Sequence, residues 1–159
     1  MRTIKFRGKS LENGEWLYGD LIHYEWEPEP PYPYIQTGME RNEHGIMQTR
    51  GGRVNPDTVG QYTGLYDMNG SEIYEGDILR LPPKNEFEEK NFVSFEVFWH
   101  DNDYACYHIG WQINRLHYNG CICGYEMGVI NFLPKWTSKM VVIGSIHDNS
   151  ELLKGGNNK

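Results

Sequence analysis

Six metal-ligating side chains fall within one stretch of the chain: His100, Cys106, His108, His117, Cys121 and Cys123. A structural zinc site needs four ligands, usually supplied by Cys-x2-Cys knuckles that wrap the ion. Here the pair is Cys121-Ile122-Cys123, and an extended strand would hold its thiols two residue rises apart, about 6–7 Å. Gly120 and Gly124 flank the pair and allow a local bend. Buried, unliganded thiols and rim histidines are nevertheless the commoner outcome. No metal and no cofactor is expected, and the third cysteine points to reduced thiols rather than a disulfide framework.

Acid–base chemistry has two candidate groupings, Asp20 with His23, and His100 with Asp101 and Asp103. Such chemistry is defined by geometry in a pocket, which short spacing on a strand or turn does not supply. The chain has no nucleophile elbow, zinc-protease pair or phosphate-binding glycine loop. Glu72, Glu75 and Asp77 offer carboxylates to a cation, but calcium takes about six to eight oxygens on a tight loop. Asp77 is better placed to accept backbone N–H bonds at its turn. No catalytic residue is assigned.

These groups need a scaffold, and the segment from Val59 to Leu81 reads as strand, turn and strand. Asp67-Met68-Asn69-Gly70 is turn chemistry, since Asp bonds the backbone ahead of it and Gly tolerates left-handed geometry. Glu75-Gly76-Asp77 gives a second bend before Ile78, Leu79 and Leu81. Upstream, Ile4 and Phe6 alternate with Lys5 and Arg7 as in a half-buried strand. Asn13-Gly14 supplies a turn into a second strand over 15–24, with a bulge expected at Gly19-Asp20. Four prolines between 26 and 34 predict a stiff extended loop. Residues 40–55 read as a polar β-excursion with a mobile tip, and 82–91 as a charged loop. Strands follow at 92–99, 104–113, within 121–132, and at 140–146. Asp148, Asn149 and Ser150 offer caps to a short helical turn at 151–154, and 155–159 should fray.

Composition agrees with one mainly-β domain over residues 1–154. Hydrophobic residues make up 38% and charged residues 23%, which is globular rather than disordered. The 11 Tyr, 6 Phe and 5 Trp favour pleated surfaces and their rims. Apolar runs such as Met140 to Ile143 fall far short of the ~20 residues that span a bilayer. The N-terminus lacks the apolar stretch of a secretion signal, so a cytoplasmic protein is expected. A net charge of -7 disfavours nucleic acid, whose binding rests on phosphate neutralisation.

Three blocks resemble the YopX family of small proteins encoded in bacteriophages and prophages. They are Ile4-Lys5-Phe6-Arg7-Gly8 with Trp16 to Gly19; Thr58 through Asp77; and Ile143 to Asn149 with Glu151-Leu152-Leu153. The middle block, with Gln-Tyr-Thr-Gly-Leu and Ile-Tyr-Glu-Gly-Asp, is the most specific. The closing block usually resembles Gly-Asn-Ile-Tyr-Glu-Asn-Pro, and here Ser145, His147, Asp148 and Ser150 differ. The resemblance implies an SH3-like barrel with additional β-hairpin excursions, an arrangement compatible with a homo-oligomer in the cytoplasm of a bacterial host. It implies no catalytic residues. Its motif positions Gln61, Tyr62, Thr63, Gly64, Asp67, Asn69, Gly70, Tyr74, Glu75, Gly76 and Asp77 are fold determinants first and a candidate binding surface second.

A non-enzymatic interaction module follows as the leading expectation, with a host or phage protein, or a second copy, as partner. A nucleic-acid-associated barrel is the alternative. It requires a basic stripe gathered from Arg2, Lys5, Arg7, Lys9, Arg50, Arg53, Arg80 and Arg115. A metal-binding or catalytic domain built on the 100–123 cluster is the third reading.

Overall fold

The computed structural model describes residues 3–24, 32–90, 94–100, 110–117, 130–131, 137–149 and 152. They divide into two compact units, Met1–Gly64 and Leu65–Lys159. Antiparallel strands dominate both.

In the first unit β1 (Phe6–Lys9) pairs with β2 (Trp16–Ile22), β2 with β3 (Tyr34–Arg41), and β3 with β4 (Met47–Arg53). On the other side β1 pairs with β5 (Gly60–Tyr66), which continues into the second unit. Ile35 and Val54 are fully buried, each worth about 1.5–3 kcal/mol of transfer free energy. The bulge expected at Gly19-Asp20 lies instead on β3, between Gln36 and Gly38. Gly19 serves a different need. A Cβ there would sit 1.9 Å from the Gln36 carbonyl oxygen, so only glycine allows β2 and β3 to approach this closely. The sheet also curls. A single bridge joins Ser10 at the end of β1 to Val54 beyond β4, and Leu11 N donates to Arg53 O at 2.9 Å.

The second unit begins with the end of β5, which makes a hairpin with β6 (Glu72–Tyr74). A five-stranded sheet follows in the order β10-β9-β8-β7-β11, formed by Ile130–Asn131, Gly110–His117, Ser94–His100, Asp77–Arg80 and Val141–Ser145. Ile73, Leu79, Val97 and Met140 make its core, with Leu65, Phe95 and Val142 packed against them. The charged loop at 82–91 contains a short helix, α1 (Glu86–Lys90). Asn85 Oδ1 accepts from Glu88 N at 2.9 Å while Glu88 Oε2 accepts from Lys84 N at 2.8 Å, a reciprocal cap. At the other end of the unit, Leu152 N donates to Asn149 O, an i to i+3 bond where a helical turn was expected.

The mainly-β expectation therefore holds, whereas the SH3-like barrel is not formed as a closed sheet by the described strands. Both strand orders are open. The first sheet curls back through the single Ser10–Val54 bridge, and at Glu75–Gly76 the chain passes from the β5–β6 hairpin into the five-stranded sheet. No helix among the described residues is long and apolar enough to cross a membrane.

Candidate functional site

The motif side chains are engaged in holding the fold. Asp67 is only 6% exposed. Its Oδ1 accepts from Asn69 N and Ser71 N, each at 2.8 Å, as the turn chemistry of Asp67-Met68-Asn69-Gly70 requires. Its Oδ2 accepts from Val142 N at 3.1 Å, which fastens the turn to β11. Met68 N donates to Met140 O beside it. Gly70 adopts φ 81° within the same turn.

The second bend is built the same way. Asp77, 1% exposed, accepts from Tyr74 N through Oδ2 at 2.8 Å, as its sequence position suggested. Gly76 sits at φ 78°, donates to Val97 O at 2.8 Å and accepts from Ile146 N at 2.9 Å. Tyr74 is buried, and its hydroxyl donates to Glu72 Oε2 at 2.7 Å. The closing block returns to this point: Ser145 pairs with Asp77, and its buried hydroxyl accepts from His147 N and Asp148 N. In the first unit Gln61 pairs with Phe6, Tyr62 N donates to Lys5 O, and Thr63 is buried. Gly64 takes φ 86° at the end of that unit, and Glu75 is half-buried. Of the carboxylates considered for a cation, Glu72 and Asp77 both accept from Tyr74 instead.

Register separates the histidines of the 100–123 cluster. His100 pairs with Gly110 at one end of the β8–β9 hairpin, and His117 pairs with Ser94 at the other. Six residue rises lie between those ends, about 20 Å, so the two backbones cannot bring ligands to one ion. Cys106, His108, Cys121 and Cys123 lie outside the described residues, as do Asp101 and Asp103. Among the described residues no group of three His, Cys, Asp or Glu side chains is placed to hold a metal. Asp20 and His23 are both solvent-exposed. In β8, burial pushes the Glu96 carboxyl above its ordinary value of 4.5.

The basic stripe assembles only in part. Lys5, Arg7 and Lys9 alternate along one face of β1, and the pairing carries that face through Tyr18 and Trp16 to Tyr34 and Arg53. Arg7 is buried, with its guanidinium 4.4 Å from the centre of the Trp16 ring. Such a stacked cation contributes about 0.5–2 kcal/mol to the fold and offers little to a phosphate. Arg50 lies on the opposite face, 3.5 Å from Glu40. Arg80 bonds Glu89 in the second unit, Arg115 sits in β9 opposite Phe95, and Arg2 is outside the described residues.

Sequence reasoning identified the 40–55 excursion without recognising it as a candidate surface. Every residue of β4 except half-buried Gly52 is exposed. Met39 (57%), Ile46 (63%) and Met47 (47%) place apolar side chains in solvent within this one hairpin. The register sets Met39 opposite Thr49 and Met47 opposite Arg41, so both methionines share a face. On the reverse face, Gln48 Nε2 donates to Glu40 Oε1 at 3.2 Å, beside the Glu40–Arg50 pair. The tip closes on Asn42, whose Oδ1 accepts from His44 N and Ile46 N. The available signal was Ile46-Met47, an apolar pair in an otherwise polar stretch.

A family model described as "YopX protein" matches residues 5–154. No curated protein matches the chain. Among solved structures, protein EF1440 from Enterococcus faecalis is similar, with 23% sequence identity and a TM-score of 0.57. The match covers 96% of this chain and 99% of that one, and at this identity it speaks for the fold alone.

Proposed function

The chain belongs to the YopX family, and from that premise we propose that it is a non-enzymatic interaction module that offers its β3–β4 hairpin to a protein partner. The observation that carries this reading is the exposure of Met39, Ile46 and Met47 on a hairpin whose outer strand is solvent-facing almost throughout. Apolar side chains scattered singly need no explanation, but three within one hairpin, two of them on one face, support a contact surface. Methionine suits such a surface because its flexible thioether adapts to irregular partners. The motif carboxylates point the same way, being engaged by backbone donors rather than arranged around a substrate. The phage or prophage setting of the family makes a host factor, another phage protein or a second copy the candidate partner.

A photoreactive amino acid at position 46, in the full chain expressed in bacteria, tests this. Discrete adducts are expected from position 46 and not from exposed Asp20. Their yield should fall about tenfold when Met39 and Met47 are both changed to Glu, a loss of ~1.4 kcal/mol in binding. A hairpin that gives no adduct refutes the proposal.

A further inference from the structure

The described methionines fall into two environments. Met140 is core, 3% exposed and packed with Ile73, Leu79 and Val97. Met39, Met47 and Met68 are 57%, 47% and 49% exposed. Met68 belongs to the second unit, in the turn that Asp67 holds, and not to the β3–β4 hairpin. Met39 and Met47 share one face of that hairpin, Met39 opposite Thr49 and Met47 opposite Arg41. They are diagonal neighbours across the two strands, about 7–8 Å apart along the backbone and within reach of each other's long side chains.

From this pair we infer an oxidation site: peroxide converts the thioethers of Met39 and Met47 to sulfoxides, and the hairpin then releases its protein partner without unfolding. The inference rests on the interaction-module reading and deepens it by naming how that surface is regulated. A sulfur lone pair attacks one oxygen of hydrogen peroxide, and the S–O bond forms as the O–O bond breaks. The transferred oxygen gives its proton to the other, which leaves as water. Sulfur is oxidised by the electron pair that the peroxide gains.

Exposure selects the sulfurs, because attack needs contact with peroxide in water, which Met39 and Met47 offer and Met140 does not. Register then decides what the new oxygen does. A sulfoxide oxygen is a strong acceptor, and each one finds a donor side chain directly across the hairpin. The Thr49 hydroxyl stands opposite Met39 and the Arg41 guanidinium opposite Met47. Arg41 gives Nη1 to the Gly45 carbonyl and has further N–H groups for a second acceptor. The isolated hairpin, solvent-facing on this side, therefore tolerates the modification. A partner that covers the face does not, since it buries a polar, chiral group where a flexible apolar one packed before.

The test uses the full chain with Met68→Leu, which removes the exposed sulfur outside the hairpin. Purified protein is treated with hydrogen peroxide, and peptide mass spectrometry reads oxygen uptake at each methionine beside a thermal melt. Met39 and Met47 are expected to convert fully while Met140 stays unmodified, with Tm unchanged. The photoreactive residue at position 46 then reports the partner in bacteria with and without peroxide. Adduct yield should fall about tenfold on oxidation. It should return when the two methionine sulfoxide reductases, one for each epimer, are overproduced. Met39→Leu combined with Met47→Leu removes both sulfurs, and its yield, whatever its starting level, should not respond to peroxide. Oxidation of Met140 as fast as the pair, or a melt lowered by oxidation of the pair, overturns the inference. So does a yield that falls equally in the double leucine variant, or that the reductases do not restore. Adducts that persist through full conversion remove the switch and leave the interaction module standing. A hairpin that gives no adduct before peroxide removes both.

Discussion

Replacing Asp67 by Asn changes one atom in the most heavily bonded turn of the chain. The turn-side oxygen can remain, and with it the bonds from Asn69 N and Ser71 N. The other oxygen becomes an NH2 group facing Val142 N, so a bond across 75 residues of sequence becomes two opposed donors. Asp67 is buried and Val142 half-buried, so water replaces the lost acceptor poorly. Removing a charged acceptor from a buried donor costs about 1–3 kcal/mol. For a chain of this size, a loss of ~2 kcal/mol lowers Tm by about 4–8 °C. Thermal and urea melts measure the loss, and hydrogen exchange at the Val142 amide locates it. The Asn69 and Ser71 amides should stay protected. A variant that melts with the parent and keeps Val142 protected would show that the turn is held by its local bonds alone, and the reasoning about β11 would be wrong.

Three further outcomes follow from the same geometry. Gly76→Ala should cost about 1–2 kcal/mol, because φ 78° is left-handed and its new methyl meets Ile146 Cγ1 at 3.4 Å; a melt unchanged from the parent contradicts this. Gly19→Ala should disturb the β2–β3 pairing through contact with the Gln36 carbonyl, read as faster exchange of strand amides there, while Gly14→Ala, with open space around it, should leave those amides alone. Glu96 has its pKa raised by burial, so the fold favours its protonated form. That preference is fully present below pH 4.5 and is lost as pH rises through the folded-state value. Glu96→Gln should therefore match the parent in acid and melt higher at neutral pH; equal melting at both would remove burial as the cause.

Local chemistry was the legible part of this sequence. Asp67 and Gly70 announced their turn, Asp77 its cap, and the alternation around Phe95 and Val97 its strand, because each depends on neighbours within a few residues. The bond from Val142 to Asp67 depends on which strands pair, and no spacing encodes that. The same limit explains the histidines: His100 and His117 are close in sequence, but a hairpin turns that closeness into the length of a strand. Gly19 carried a true signal of backbone need, assigned to a bulge when the need was space for a carbonyl. The helix at Glu86–Lys90 was readable from Asn85-x-x-Glu88 but was obscured by its charge. The hairpin was visible as polar sequence; that its apolar residues stay in solvent is a fact of tertiary structure.

The closure of the hairpin tip has a consequence for how this chain can change over time. Residues 42–46 are closed by their own bonds, from Asn42 to His44, Gly45 and Ile46, with Arg41 Nη1 donating to the Gly45 carbonyl. None of those bonds reaches the buried Ile35 or Val54. The tip is therefore a replaceable cassette: substitution, lengthening or grafting between Arg41 and Met47 leaves the main stabilising contacts untouched. Of the three apolar side chains in the proposed contact surface, Ile46 alone lies in this cassette, so change there carries little penalty in folding.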